Sequence, residues 1–136
     1  TVANSCSTMH KIHAKEFTLD DFSHEHLSDK GIIHGDYVFV SPKDGLIETI
    51  HSLNVYREKY LETKDKTWWW QMIQRLPSSY NQKRTVQLNY AVLWNMYQAR
   101  KNHKLDEWRE FCKELLKLPF FQELVDAYYA GKVVAD

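Results

Sequence analysis

Apolar residues recur at helical spacing through the middle of the chain. The first such set, with charged residues between its members, is Leu46, Ile50, Leu53 and Tyr60. This pattern predicts a helix that follows a turn at residues 41–45. A second helix is expected over residues 66–76, and it ends before Pro77 because the residue before a proline avoids helical geometry. It carries tryptophans at positions 68–70, and at least one of them must meet another element, a ligand or a subunit.

The second half of the chain predicts three more helices. Asn89 is a suitable N-cap, because apolar side chains follow it at helical spacing: Tyr90, Leu93, Trp94 and Tyr97. Asp106 can cap the next helix, whose inward residues are expected to be Trp108, Phe111, Cys112 and Leu115. Pro119 can start the last helix and Gly131 can cap its C-terminus, with inward residues Phe120, Leu124 and Tyr128.

Extended segments lie mainly before residue 41. Residues 31–35 and 37–40 read as two short strands around Gly35 and Asp36. Residues 78–88 are polar and partly β-prone. These patterns predict an α+β fold with a helix-rich second half and a small N-terminal β region, built as a single domain over residues 1–136.

Composition narrows the class of protein. A chain of 136 residues with 43% hydrophobic and 14% aromatic residues fits a folded domain rather than a disordered segment. No apolar run approaches the roughly 18 residues of a membrane helix, so no membrane partner is expected. Cys6 and Cys112 lie far apart, which fits a reduced, cytoplasmic chain better than a disulfide framework. We expect Cys112 to be a core residue.

Charge is unevenly distributed along a chain whose net charge is zero. Residues 71–104 contain no carboxylate and six cationic side chains: Arg75, Lys83, Arg84, Arg100, Lys101 and Lys104. Cations without neighbouring acids favour binding of phosphate, carboxylate or a nucleic-acid backbone. We therefore take Arg75, Lys83, Arg84 and Arg100 as candidate anion-binding residues. Pairing of these cations with the acidic flanks is equally compatible with the sequence.

The remaining residues restrict the chemistry further. The chain has four glycines and no glycine-rich phosphate loop, and no nucleophile–histidine set stands out by its spacing. The histidines lack the paired cysteines or the His-Glu-x-x-His pattern of a zinc site, so no metal is expected. Arginines, amides and aromatic rings suit a nucleotide instead. Two alternatives stay open: Asn89 only caps its helix, or Arg100 only pairs with Asp106 or Glu107.

The same segment resembles the C-terminal half of flavin-dependent thymidylate synthase. That family has a Leu-Pro, an Asn twelve residues later and an Arg eleven residues after the Asn, and Leu76-Pro77, Asn89 and Arg100 keep this spacing. His103 follows Arg100 at a step one residue shorter than in the family, and Glu107-Trp108-Arg109 closes the pattern. A weaker match lays Asn4 and Ser7 on the end of the family signature. The chain also resembles phage-encoded relatives of this family.

The resemblance implies a reaction and a set of ligands. The family converts dUMP to dTMP by reductive methylation, with FAD, NADPH and methylenetetrahydrofolate, in a homotetramer that shares sites between subunits. By this resemblance Ser7 and Arg100 would lie at dUMP as catalytic residues, and Asn89, Asn95 and His103 would bind the cofactor. The protein would act in the cytoplasm, which for a phage-encoded chain is that of the host cell.

Several family residues are missing from this chain. The Arg-His-Arg of the signature would precede Thr1, so we expect a domain truncated on its N-terminal side. Ile73 and Ala91 stand where the family has arginine. An alternative is therefore a non-catalytic phage protein on the same scaffold, which binds a host protein or nucleic acid through the basic surface of residues 71–104. A third possibility is a purely structural or oligomeric module.

Overall fold

The computed structural model describes residues 2–5 and 9–135 as an α+β chain. Its described part holds five α-helices, one short 3-10 helix (Leu19–Asp21) and two two-stranded sheets. In chain order the strands are β1 (Val2–Ser5), β2 (Ile32–His34), β3 (Tyr37–Phe39) and β4 (Arg84–Gln87). The helices are α1 (Pro42–Thr63), α2 (Lys66–Arg75), α3 (Tyr90–Arg100), α4 (Asp106–Leu115) and α5 (Phe121–Ala135). The predicted α+β class is confirmed.

The chain forms two compact units, residues 5–84 and residues 1–4 with 85–136. We call them the N-unit and the C-unit. β2 and β3 form an antiparallel hairpin in the N-unit, as the sequence predicts. β1 pairs with β4 in the second sheet. None of the helices in the described part of the chain is long and apolar enough to cross a membrane.

The N-unit is built around the packing of α1 and α2 on the segment that precedes them. Its buried cluster comprises Ile12, Phe17, Phe22, Leu46, Ile50, Leu53 and Met72. Asn54 fixes the preceding segment to α1: its Oδ1 accepts the Phe17 N–H at 2.8 Å and its Nδ2 donates to the Phe17 carbonyl at 2.9 Å. This pair of bonds satisfies the backbone of a residue that is only 3% exposed.

The predicted turn at residues 41–45 is wrong, because most of this stretch is the first turn of α1. Ser41 is the N-cap, and its Oγ accepts the Asp44 N–H at 3.0 Å. Pro42 occupies the first helical position, where its missing N–H carries no penalty. The predicted apolar face is confirmed at Leu46, Ile50 and Leu53.

The three adjacent tryptophans of α2 have different surroundings. Trp68 stacks on Tyr56 of α1, with ring centroids 6.2 Å apart and planes at 19°. Trp69 packs against the N-unit core, whereas Trp70 is 47% exposed. The expectation that at least one of them meets another element is therefore confirmed by Trp68.

The C-unit packs α3, α4 and α5 around Leu93, Leu115, Phe121 and Val125. Cys112 is 3% exposed, as expected of a core residue, and burial raises the pKa of its thiol. The predicted start and inward face of the last helix are wrong. Phe120 has a positive φ of 66° and is 78% exposed, so α5 begins at Phe121, two residues after the predicted start at Pro119, and turns Phe121 and Val125 inward. Leu124 and Tyr128 are each 40% exposed.

Three smaller expectations about α4 and α5 also change. Asp106 is the first residue of α4 rather than its N-cap, which is Leu105. Phe111 is 36% exposed rather than inward. Gly131 lies within α5 and does not end it.

Candidate functional site

The connection between α3 and α4 brings together two of the predicted site residues, Arg100 and His103. Asn89 starts α3 by accepting the Val92 N–H at 2.9 Å, and Leu93 anchors the helix in the C-unit core. At the other end, the N–H groups of Lys101 and His103 donate to the carbonyls of Tyr97 and Arg100 at 2.9 and 3.0 Å. These bonds turn the chain tightly, so that the end of α3 lies beside the start of α4.

Arg100 stacks on Trp108 across this turn. Its guanidinium carbon lies 4.7 Å from the centroid of the indole, which is a favourable cation–π distance. A guanidinium held over an aromatic ring can still donate its N–H groups to an approaching acceptor. Planar donors held in this way suit phosphate and carboxylate oxygens, which accept two parallel hydrogen bonds from one arginine.

His103 and Arg109 complete the group, which we call the corner cluster: Arg100, His103, Trp108 and Arg109. The His103 ring centroid is 6.2 Å from that of Trp108. Its Nδ1 accepts the Leu105 N–H at 3.1 Å, so a neutral His103 carries its proton on Nε2. Arg109 Nη1 donates to the His103 carbonyl at 2.6 Å. The cluster therefore joins two guanidinium groups, an imidazole and an indole.

Lys101 is adjacent to Arg100 but is engaged differently. Its ammonium donates a hydrogen bond to the Tyr129 hydroxyl and lies 4.7 Å from the centre of that ring. This hydrogen bond raises the pKa of Lys101. Lys101 therefore contributes positive charge on the α5 side of the turn, whereas Arg100 lies on Trp108 of α4.

The three residues that the resemblance assigns to the cofactor are spread along α3 and beyond it. Asn89 lies at the start of α3, exposed Asn95 in its middle, and half-buried His103 just after its end. Eleven residues of helix separate Asn89 from Arg100, about 16 Å at 1.5 Å per residue. Of the assigned residues, only Arg100 and His103 meet at the corner cluster.

The other three candidate anion-binding residues belong to the N-unit. Arg75 is exposed in the last turn of α2, and Arg84 is exposed at the start of β4. Lys83 lines a cavity of about 370 Å³, whose other lining residues are Lys15, Asp20, Asp21, Tyr80, Asn81 and Gln82. The six cations predicted as one basic segment are thus divided equally between the two units.

The wall of that cavity is held by packing and backbone bonds. The Tyr80 ring packs against Phe22, with centroids 5.4 Å apart, and the Asn81 N–H donates to the Asp21 carbonyl at 2.8 Å. Burial and, to a lesser extent, the charge of Asp21 raise the pKa of Tyr80. Asp21 also lies 3.7 Å from the ammonium of Lys15. The carboxylate of Asp21 therefore offsets part of the positive charge of the lysines that line the cavity.

Trp108 and Arg109 belong to the cluster although neither of them was assigned a binding role from the sequence. Trp108 was expected inside α4, yet it is half-buried beneath Arg100. Ser7, assigned to dUMP by the resemblance, lies outside the described residues. Among the residues that the structure describes, no three His, Cys, Asp or Glu side chains are grouped to hold a metal ion.

Comparisons with protein-family models, curated proteins and solved structures found no match to this chain.

Proposed function

We propose that this chain binds a nucleotide at the corner cluster. The observation that carries the proposal is the placement of the Arg100 guanidinium over Trp108, with His103 and Arg109 beside it. A nucleotide combines a phosphate with a planar base. Two arginines can neutralise the phosphate, and the Nε2–H of His103 adds a donor for a carbonyl or phosphate oxygen.

The nucleotide proposed first is dUMP, with FAD as the cofactor, in the reductive methylation that makes dTMP. This choice follows from the resemblance to flavin-dependent thymidylate synthase, in which Arg100 would contact dUMP and His103 would contact flavin. The convergence of these two residues supports it. NADPH and methylenetetrahydrofolate would be the further reactants if the chain is catalytic, in a homo-oligomer that supplies residues across subunits.

The test combines the visible absorbance of the purified protein with its thermal unfolding. Bound FAD gives flavin absorbance, and a ligand that binds only the folded state raises the unfolding temperature. At a concentration of about 100 times Kd the stabilisation is roughly 2.7 kcal/mol. We expect dUMP and FAD to raise the unfolding temperature, and Arg100→Ala and Trp108→Ala to reduce the shift produced by dUMP.

Lys117→Ala is the matched control for the loss of charge. Lys117 belongs to the same unit, is 71% exposed at its side chain and pairs with Glu114 at 2.8 Å, away from the corner cluster. This variant should keep the full shift. A colourless protein whose unfolding temperature responds to neither dUMP nor FAD would contradict the proposal.

A second candidate function is the binding of a polyanion, such as a nucleic acid, by the N-unit. Arg75, Lys83 and Arg84 are all exposed and lie within ten residues of one another. Exposed cations of this kind bind phosphates without reading sequence, and such binding weakens as salt rises. The salt dependence of binding therefore separates this candidate from a nucleotide site at the corner cluster.

A further inference from the structure

The β2–β3 hairpin exposes an unusual amount of apolar surface. Its turn passes through Gly35 at a φ of 62°, a conformation that glycine adopts without strain. Six large apolar residues on and beside the strands are at least half exposed: Ile32 50%, Ile33 78%, Tyr37 72%, Val38 79%, Phe39 52% and Val40 55%. None of them belongs to the buried cluster of either unit.

Both faces of the hairpin are largely apolar, with His34, which pairs with Tyr37, as the polar exception. Ile32 pairs with Phe39, and the Tyr37 and Phe39 rings lie 6.2 Å apart on the same face. Ile33 pairs with Val38 on the opposite face. A sheet that meets water usually alternates apolar and polar positions, so that one face is wet. This hairpin has no polar face, which indicates that another surface covers it.

The hydrogen-bonding edges of the hairpin are also open. Its sheet consists of β2 and β3 alone, and no third segment bonds to the backbone of residues 37–39 in the part of the chain that the structure describes. A two-stranded hairpin is marginal in water, and an uncovered apolar edge promotes association. Association would therefore stabilise the hairpin itself.

We propose that the hairpin is the contact surface between two copies of this chain. At about 150 Å² for a fully open large apolar side chain, the lower end of the range for aromatic rings, the observed exposures leave on the order of 600 Å² per copy, spread over both faces of the hairpin. Each partner contributes about 800 Å² to a standard interface. Two hairpins that cover both faces of each other thus supply most of the area of a standard interface.

Charge also favours a second copy as the partner. Residues 31–40 contain no lysine or arginine and only one carboxylate, Asp36, so the surface gives a strongly charged partner little to pair with. Two identical apolar surfaces can meet about a twofold axis, because every contact is then made twice. Asp36 lies at the turn and is the only carboxylate in this segment.

The first test measures mass in solution over a range of protein concentrations. We expect the wild type to reach about twice the chain mass of 16.3 kDa. Val38→Lys and Tyr37→Lys place a charge on opposite faces of the hairpin, and each should raise the dimer dissociation constant at least tenfold. Val55→Lys is the control, because Val55 is also 50% exposed but lies on α1; it should leave dimerisation unchanged.

The second test needs no substitution. Hydrogen exchange at the amides of residues 32–39 should slow as the wild-type concentration rises, because the dimer covers them. A wild type that stays monomeric at all concentrations overturns the proposal, and so does a dimer unaffected by both lysine variants. Exchange at the hairpin that is independent of concentration also overturns it. A dimer that forms while dUMP and FAD fail to bind leaves this interface standing and removes only the proposed function.

Discussion

At the residue scale, Asn89 has two possible roles, as a helix cap and as a cofactor ligand. Its side chain accepts the Val92 N–H at 2.9 Å and so caps α3, while the resemblance assigns the same carboxamide to the cofactor. Capping needs only a side-chain oxygen at this position, whereas a cofactor contact through the amide needs its NH₂ group as well.

Asn89→Ala and Asn89→Ser separate the two roles. The alanine variant removes the cap and should lower the free energy of unfolding by about 1 kcal/mol. The serine variant keeps a capping oxygen and should stay close to the wild type in denaturant unfolding. We expect the FAD-induced rise in unfolding temperature to be reduced in both variants. A full shift in the serine variant would restrict Asn89 to capping.

At the residue scale, the sequence predicted local features better than contacts across a turn. The cap at Asn89 was predictable because it depends on neighbours within one turn of the helix. The stacking of Arg100 on Trp108 was not, because the two residues are eight apart and meet only after the turn formed by the His103–Arg100 backbone bond. Trp108 therefore looked like a core residue of α4.

At the element scale, the pattern of apolar residues does not decide which residue at the start of α5 lies inward. Residues 120 and 121 are both phenylalanine, so either can begin the inward face. The backbone decides, because positive φ at Phe120 and the bond from the Phe121 N–H to the Leu118 carbonyl place Phe121 inside. The helix was predictable, but its inward face depended on one backbone angle.

The two phenylalanines offer a matched pair of substitutions. Phe121 is fully buried and its ring lies 5.9 Å from that of Tyr97, so Phe121→Ala should cost about 3–5 kcal/mol. Phe120→Ala removes the same atoms from a residue that is 78% exposed, and should change stability by less than about 0.5 kcal/mol. The measurement is denaturant unfolding of both variants. Equal losses would contradict the observed register of α5.

At the scale of the whole molecule, the sequence predicted a segment with a charge of +6. It did not predict that the fold divides the six cations of this segment between two units. The fold assigns Arg75, Lys83 and Arg84 to the N-unit, and Arg100, Lys101 and Lys104 to the C-unit. A count of charge along the chain cannot reveal that boundary, because it falls inside the polar stretch at residues 84 and 85. Each unit therefore has to be tested separately as an anion-binding surface.

For the N-unit, the test is Lys83→Ala combined with Arg84→Ala. If these exposed side chains contact phosphates, the logarithm of the affinity for single-stranded DNA depends on the logarithm of salt with a slope of roughly −0.7 per contact. Removing two contacts should make the slope shallower by about 1.4. Fluorescence anisotropy of labelled DNA over a salt series measures it. Lys101 is left intact here because its ammonium is bound to Tyr129.

The control removes the same number of charges elsewhere, with Lys113→Ala and Lys117→Ala. Both lysines are exposed and pair with glutamates, Glu110 at 2.9 Å and Glu114 at 2.8 Å. Since exposed pairs of this kind contribute little to stability, the control should fold normally. If net charge alone attracts DNA, both double variants lose affinity equally. If the N-unit binds DNA through Lys83 and Arg84, only their removal changes the slope, and an unchanged slope in that variant excludes polyanion binding through these two residues.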